Sequence, residues 1–184
     1  MANGSMTAAV ARSLLREREP QGFDVLFDHG KTGVDPAANL GKLKSWFGPK
    51  YAATTILADL DIAIVERQSD RLIALIEIEE TTSKPKVLLG DAFATLLGSH
   101  ITFQGKRHLS VGFWTTLIVL ACIPTPTPAN QHRIDFLEQQ VNQIKAGLTT
   151  PNASIGRVVM CGFQDEVELG EKLRALIQAA IGAQ

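Results

Sequence analysis

The chain has 184 residues, 45% of them hydrophobic, and a formal net charge of -1, which suits one domain with one sizeable core and leaves too little chain for two. So balanced a charge excludes global electrostatic attraction to nucleic acid or to an anionic membrane, because such steering needs a large field of one sign. A local basic patch stays open.

The opening segment MANGSMTAAVARSLLRERE has no basic region followed by a long apolar stretch, so no secretion signal is expected. Within it, residues 7 to 18 place Val10, Leu14 and Leu15 on one helical stripe, and the helix should end before Pro20. FDVLF (23 to 27) reads as a short strand. The stretch from there to about Tyr51 is rich in Gly, Asp, Asn and Pro and reads as loop, with a helical turn or two around Ala37 to Trp46.

ILADLDIAIV (56 to 65) and LIALIEIE (72 to 79) are strand candidates joined by the polar turn ERQSDR, which makes a hairpin. VLLGDAFATLLGSHI (87 to 101) reads as a mostly apolar helix, and TTLIVLACI (115 to 123) as a strand buried on both faces. The longest apolar run, VGFWTTLIVLACIP, is shorter than the roughly 20 residues that span a bilayer, so no membrane association is expected. After PTPTP, a helix carries Ile134, Leu137, Val141 and Ile144 at helical spacing, with Gly147 as its stop. A strand at 156 to 163 and a helix at 165 to 182 complete the chain. The expected fold class is α/β, a mixed central sheet flanked by helices, as one domain over residues 1 to 184. Cys122 and Cys161 sit in apolar runs as reduced, buried side chains, which fits a cytoplasmic protein.

Acidic residues interrupt the hairpin. Strand alternation puts Leu57, Asp59, Asp61, Ala63 and Val65 on one face, and Ile73, Leu75, Glu77 and Glu79 on one face of the next strand. A five-residue loop, Arg67 to Arg71, would set Asp61 opposite Glu77 and Asp59 opposite Glu79; hydrophobicity alone does not fix that register. Opposed like charges beside apolar neighbours are destabilising and call for a cation. A hard divalent ion such as Mg²⁺ or Mn²⁺ takes oxygen ligands and leaves positions for water and substrate phosphate. The plainer alternative is that Glu77, Glu79 and Glu80 are solvated at a strand end and that Asp59 and Asp61 belong to an entry turn.

The run Asp61-Ile-Ala-Ile-Val, a short turn, then Ile76-Glu77-Ile78-Glu79 followed by a helix, resembles the PD-(D/E)XK nuclease superfamily over roughly residues 56 to 123. The resemblance implies a restriction-endonuclease-like αβββαβ core. It also implies metal ligation by Asp61, Glu77 and the Ile78 carbonyl, and Mg²⁺- or Mn²⁺-dependent phosphodiester hydrolysis. Glu79 stands where the family usually has Lys and would be the general base, with Lys84 and Lys86 as alternative sources of the missing ammonium. The implied partner is nucleic acid, DNA first, and a homodimer fits because many nucleases of this fold pair to cut two strands. The absent Lys favours a second reading, a degenerate module that binds nucleic acid or a protein. A third, an enzyme for a small phosphorylated substrate, draws only on the neutral charge.

Other residues carry weaker signals. Lys31, Lys42, Lys44 and Lys50 with Trp46 and Tyr51 are candidates for a nucleic-acid groove, and Gln104, Lys106, Arg107 and His108 form a polar loop that could face a phosphate backbone. DHGKTG (28 to 33) lacks phosphate-loop spacing. His29, His100, His108 and His132 show no zinc-ligand spacing. Glu17 or Glu19 could add a carboxylate to the site.

Overall fold

Apolar side chains fill both faces of residues 62 to 65 and 72 to 76, and these segments become neighbouring strands deep inside the molecule. The computed structural model describes residues 5–27, 42–81, 83–148 and 155–183. In chain order the elements are α1 (Ser5–Arg18), β1 (Phe23–Phe27), β2 (Leu43–Trp46), β3 (Ile56–Asp59), β4 (Ile62–Glu66), β5 (Arg71–Glu79), α2 (Pro85–Leu96), β6 (His100–Phe103), β7 (Arg107–Ser110), β8 (Thr116–Cys122), α3 (Pro128–Gly147), β9 (Arg157–Phe163) and α4 (Glu166–Gly182). The expected α/β class holds. A five-stranded sheet runs in the order β1-β4-β5-β8-β9 and a four-stranded sheet in the order β3-β2-β6-β7. The first is mixed: β1, β4 and β5 are antiparallel, and β8 and β9 continue parallel to β5.

One face of the large sheet packs Ile62, Ile64, Ile76 and Ile118 against Val10 and Leu14 of α1 and Leu169, Leu173 and Ile177 of α4. The other packs Ala63, Val65, Leu75, Leu117 and Val119 against Leu88 and Leu96 of α2, Ile134, Leu137 and Val141 of α3, and the inward side chains of the second sheet, Leu43, Ile101 and Leu109. Ile144, expected on the buried stripe of α3, is 47% exposed instead. No described helix is long and apolar enough to cross a membrane.

Several expected boundaries are corrected. The apolar run 56 to 65 is two strands, because Leu60 turns into the core and donates its N–H to the Leu43 carbonyl at 2.9 Å; β3 belongs to the small sheet and β4 to the large one. Residues 43 to 46 form strand β2 and not a helical turn, while 37 to 41 lie outside the described residues. The helix expected to reach residue 101 stops at Leu96, and the chain then makes the hairpin β6–β7. Gly98 permits this crossing, since a Cβ there would lie 1.9 Å from the Ser45 hydroxyl. Arg107 and His108, expected in a loop, are therefore strand residues. The Arg107 guanidinium is spent on Asp24 (2.8 Å) and Asp70 (2.6 Å), which ties the small sheet to β1 and to the β4–β5 turn.

β9 would leave an open sheet edge, which invites association. Side chains of the flanking helices close it. Asn142 accepts from the Val158 N–H (3.2 Å) and donates to its carbonyl (2.8 Å), Glu138 accepts from the Met160 N–H (2.6 Å), and Lys172 donates to the Gly162 carbonyl (2.6 Å). Asn142→Ala removes two of these bonds, and about 1–2 kcal/mol of stability should go with them. Urea denaturation measures that loss, and sedimentation velocity should show the variant self-associating where the wild type does less.

Candidate functional site

The β4–β5 turn covers four residues, with Glu66 opposite Arg71 and Val65 opposite Leu72. Continued unchanged, that register would set Asp61 against Ile76. A bulge intervenes: Ile64 pairs with Ala74, so Ile73 is an extra residue, and the pairs thereafter run Ala63 with Leu75 and Ile62 with Ile76. The next positions are Asp61 and Glu77. The ladder ends at Ile62 and Ile76, so a bulge, and not a five-residue loop, sets the register that leaves Asp61 and Glu77 next in line just beyond it. For the same reason Ile73 leaves the face of Leu75 and joins the α1/α4 side. Asp59 does not oppose Glu79; it ends β3 in the other sheet and is ion-paired with Lys44.

Just beyond the end of the β4–β5 ladder, the Asp61 carboxylate accepts the Ile78 N–H at 2.7 Å. In a strand the N–H and C=O of one residue share an edge, so the Ile78 carbonyl is turned toward Asp61 as well. Glu77, only 7% exposed, faces α2 and accepts the Thr95 hydroxyl at 2.8 Å. Glu79 is half-buried and accepts both the N–H (3.0 Å) and the hydroxyl (2.7 Å) of Thr81. Glu80 holds the start of α1, accepting the Thr7 N–H (2.7 Å) and hydroxyl (2.8 Å).

Electrostatics follow from this crowding. Burial pushes the Asp61 carboxyl up to about 6, against the Ile78 hydrogen bond and with the help of Glu80, Asp91 and Glu79. Glu77 is raised well above the usual range, first by burial and then by the charge of Asp61. Asp91 on α2 is raised by burial and by Glu79. Asp91 and Thr95 went unremarked in the sequence although a signal existed. They are the one charged residue and the one hydroxyl of the run 87 to 97, four residues apart and so on one helical face.

Other candidates fall elsewhere. Lys84 precedes the first turn of α2 and Lys86 lies within it, both exposed. Glu17 is bound to Arg174 and Ser13, and Glu19 lies 4.0 Å from Arg67, so neither joins the carboxylates. Trp46 is buried and stacked on His100 at 4.4 Å, which removes its face from any ligand. His29, Lys31 and the rest of 28 to 33 lie outside the described residues. Cys122 is buried and Cys161 partly so, both as free thiols.

Among the described residues, no group of three or more His, Cys, Asp or Glu side chains is arranged to hold a metal ion. What the site offers a hard cation is two neighbouring, charge-strained carboxylates: Asp61 accepts the Ile78 N–H, and Glu77 accepts the Thr95 hydroxyl and a backbone hydrogen bond from Asp61. This suits an ion that keeps several waters, as Mg²⁺ does with one or two carboxylates. No family model, curated protein or solved structure matches the chain.

Proposed function

We propose that the chain is a metal-dependent nuclease of the restriction-endonuclease-like fold. The observation that carries the proposal is the closeness of Asp61 and Glu77, at the point where β4 and β5 part and with their ionised forms disfavoured. Support for the fold comes from the order α1, β1, β4, β5, α2, β8, which reproduces αβββαβ once the strands of the small sheet are taken as insertions.

Asp61, Glu77 and the Ile78 carbonyl would hold Mg²⁺ or Mn²⁺. The cation supplies charge neutralisation at the scissile phosphate and lowers the pKa of water. Thr95 keeps Glu77 turned toward the site, and the Ile78 N–H fixes one Asp61 oxygen so that the other faces outward. Glu79 takes the proton of the attacking water; the new P–O bond forms as the ester P–O bond opposite breaks, and the leaving oxygen is protonated from solvent. Asp91, one helical turn from Thr95, adds negative charge that strengthens the demand for a cation.

The second reading, a degenerate module that binds without cleaving, is favoured by Glu79, whose carboxylate is engaged by Thr81 and which stands where a Lys is usual. Calorimetric titration of Mg²⁺ and Mn²⁺ into wild type and Asp61→Ala, with DNA cleavage assayed on the same samples, separates the two. The nuclease reading expects metal binding and cleavage in the wild type and neither in the variant. Binding without cleavage, or no binding at all, transfers the case to the module.

A further inference from the structure

The small sheet has an inner face, which carries Leu43, Ile101, Phe103 and Leu109 into the core. Residues alternating with these form the outer face. One row across it is Asp59, Lys44, Thr102 and His108, and a second is Trp46, His100 and Ser110. Tyr51 closes over the rows, 5.8 Å from Trp46 and 5.7 Å from His108 between ring centres. Two segments far apart in sequence, 42 to 51 and 104 to 108, thus meet on one surface: Gln104 donates its N–H to the Lys42 carbonyl at 2.9 Å.

Among the described residues of this surface lysines predominate, with Asp59 as a carboxylate beside them. Lys42, Lys50 and Lys106 are exposed, and Lys44 stands among them with Asp59 as its counter-ion. Asp59 lies two residues, or about 7 Å of extended chain, from Asp61. A cationic face therefore adjoins a carboxylate cluster that by itself repels any polyanion. Of its rings, His108 is exposed and Tyr51 and His100 are half-buried, His100 with one face against Trp46. Beneath them the Trp46 indole N–H and the Thr102 hydroxyl are buried with no hydrogen-bond partner among the described residues. Both atoms are covered by the protein itself, so contact with a ligand falls to the lysines and to the rings above them. Partly exposed rings between lysines suit unpaired bases, since a duplex keeps its base faces inside its own stack.

We infer that the outer face of the small sheet binds single-stranded nucleic acid, with Lys42, Lys50 and Lys106 on the phosphates and Tyr51 and His108 against the bases. This deepens the nuclease reading by naming how substrate is held, and it rests on the part of that reading that makes nucleic acid the partner. It requires no metal.

The test is fluorescence anisotropy with labelled oligothymidylate in EDTA, where no metal-dependent cleavage occurs. The wild type should bind it, and bind a hairpin duplex more weakly. Lys42→Glu combined with Lys106→Glu should weaken binding about tenfold or more and flatten the salt dependence by roughly 1.4 in slope, about 0.7 for each phosphate no longer neutralised. Tyr51→Ala should weaken oligothymidylate binding about fivefold or more while leaving inorganic polyphosphate binding unchanged. Because the two lysines are exposed, a melting curve like that of the wild type separates lost binding from lost folding. The inference is overturned by undiminished binding in the double lysine variant, by duplex bound as tightly as single strand, or by polyglutamate bound as tightly as oligothymidylate, which would name an acidic protein partner instead. Asp61→Ala should retain EDTA binding in full. A wild type that binds through these lysines and never cleaves ends the nuclease reading and leaves this face standing. Cleavage of single strands with unchanged KM in the double lysine variant does the reverse.

Discussion

Asp61→Asn is expected to melt at a higher temperature than the wild type at pH 8, while losing metal-dependent cleavage by about a thousandfold or more. The side chain keeps its shape and an oxygen to accept the Ile78 N–H, so the substitution removes little but a charge. That charge is costly in the folded chain, where burial and the neighbouring carboxylates lift Asp61 from 3.8 to about 6. A shift of that size is worth up to about 3 kcal/mol, and the partial exposure of the group reduces the expected gain to about 1–2 kcal/mol.

The pH dependence has a definite sign. Between the ordinary value of 3.8 and about 6 the folded wild type holds a proton that the unfolded chain has lost, so its stability falls as pH rises through that window and levels off above it. The Asn variant lacks this slope. The difference between the two should be absent near pH 4, open between there and pH 6, and persist to pH 8. Differential scanning calorimetry across that range measures it, and a variant no more stable than the wild type at pH 8 would contradict the assigned charge strain. On the proposed metal site, millimolar Mg²⁺ should then raise the melting temperature of the wild type more than that of the variant, since a ligand that binds the folded state stabilises it.

Thr95→Val is expected to destabilise by about 2–3 kcal/mol at pH 8 and to reduce cleavage about tenfold to a hundredfold, with Thr95→Ser restoring most of both. Valine fills the volume of threonine but takes the hydroxyl from Glu77, a carboxylate only 7% exposed and already repelled by Asp61. Since that hydrogen bond favours the ionised form, its loss pushes Glu77 further in the direction burial has taken it. The penalty is therefore largest where Glu77 is charged and shrinks as pH falls. Guanidinium denaturation of the three proteins across a pH series tests this, and a penalty constant through the ionisation of Glu77 would show that Thr95 acts through packing and not through the carboxylate.

The central strands were legible because burial on both faces demands apolar residues at successive positions, as in 62 to 65 and 72 to 76. Helices α1, α3 and α4 were legible through their apolar spacing. The hairpin β6–β7 was not, because His100, Thr102, His108 and Ser110 face outward as a polar row and leave only Ile101, Phe103 and Leu109 as an inward signal too short to separate from the preceding helix. The break at Leu60 was hidden for the opposite reason: a buried leucine at a corner between sheets reads the same as one within a strand.

By itself the sequence singled out Asp61, Glu77 and Glu79 as candidates, because acidic side chains inside an otherwise apolar hairpin are conspicuous wherever the strands lie. It also determined that one carboxylate would follow another in the pleat, since alternation along a strand is a property of the backbone. Tertiary structure alone decided which carboxylates meet. An extra residue at Ile73 shifts the register by one and brings Asp61 to Glu77, while the turn into the second sheet carries Asp59 away to Lys44. Tertiary structure also brought Asp91 and Thr95 from α2 and set the Lys42 and His108 segments on one face. Register, corners and the docking of helices depend on how the whole core closes, and that information is spread over contacts distant in sequence.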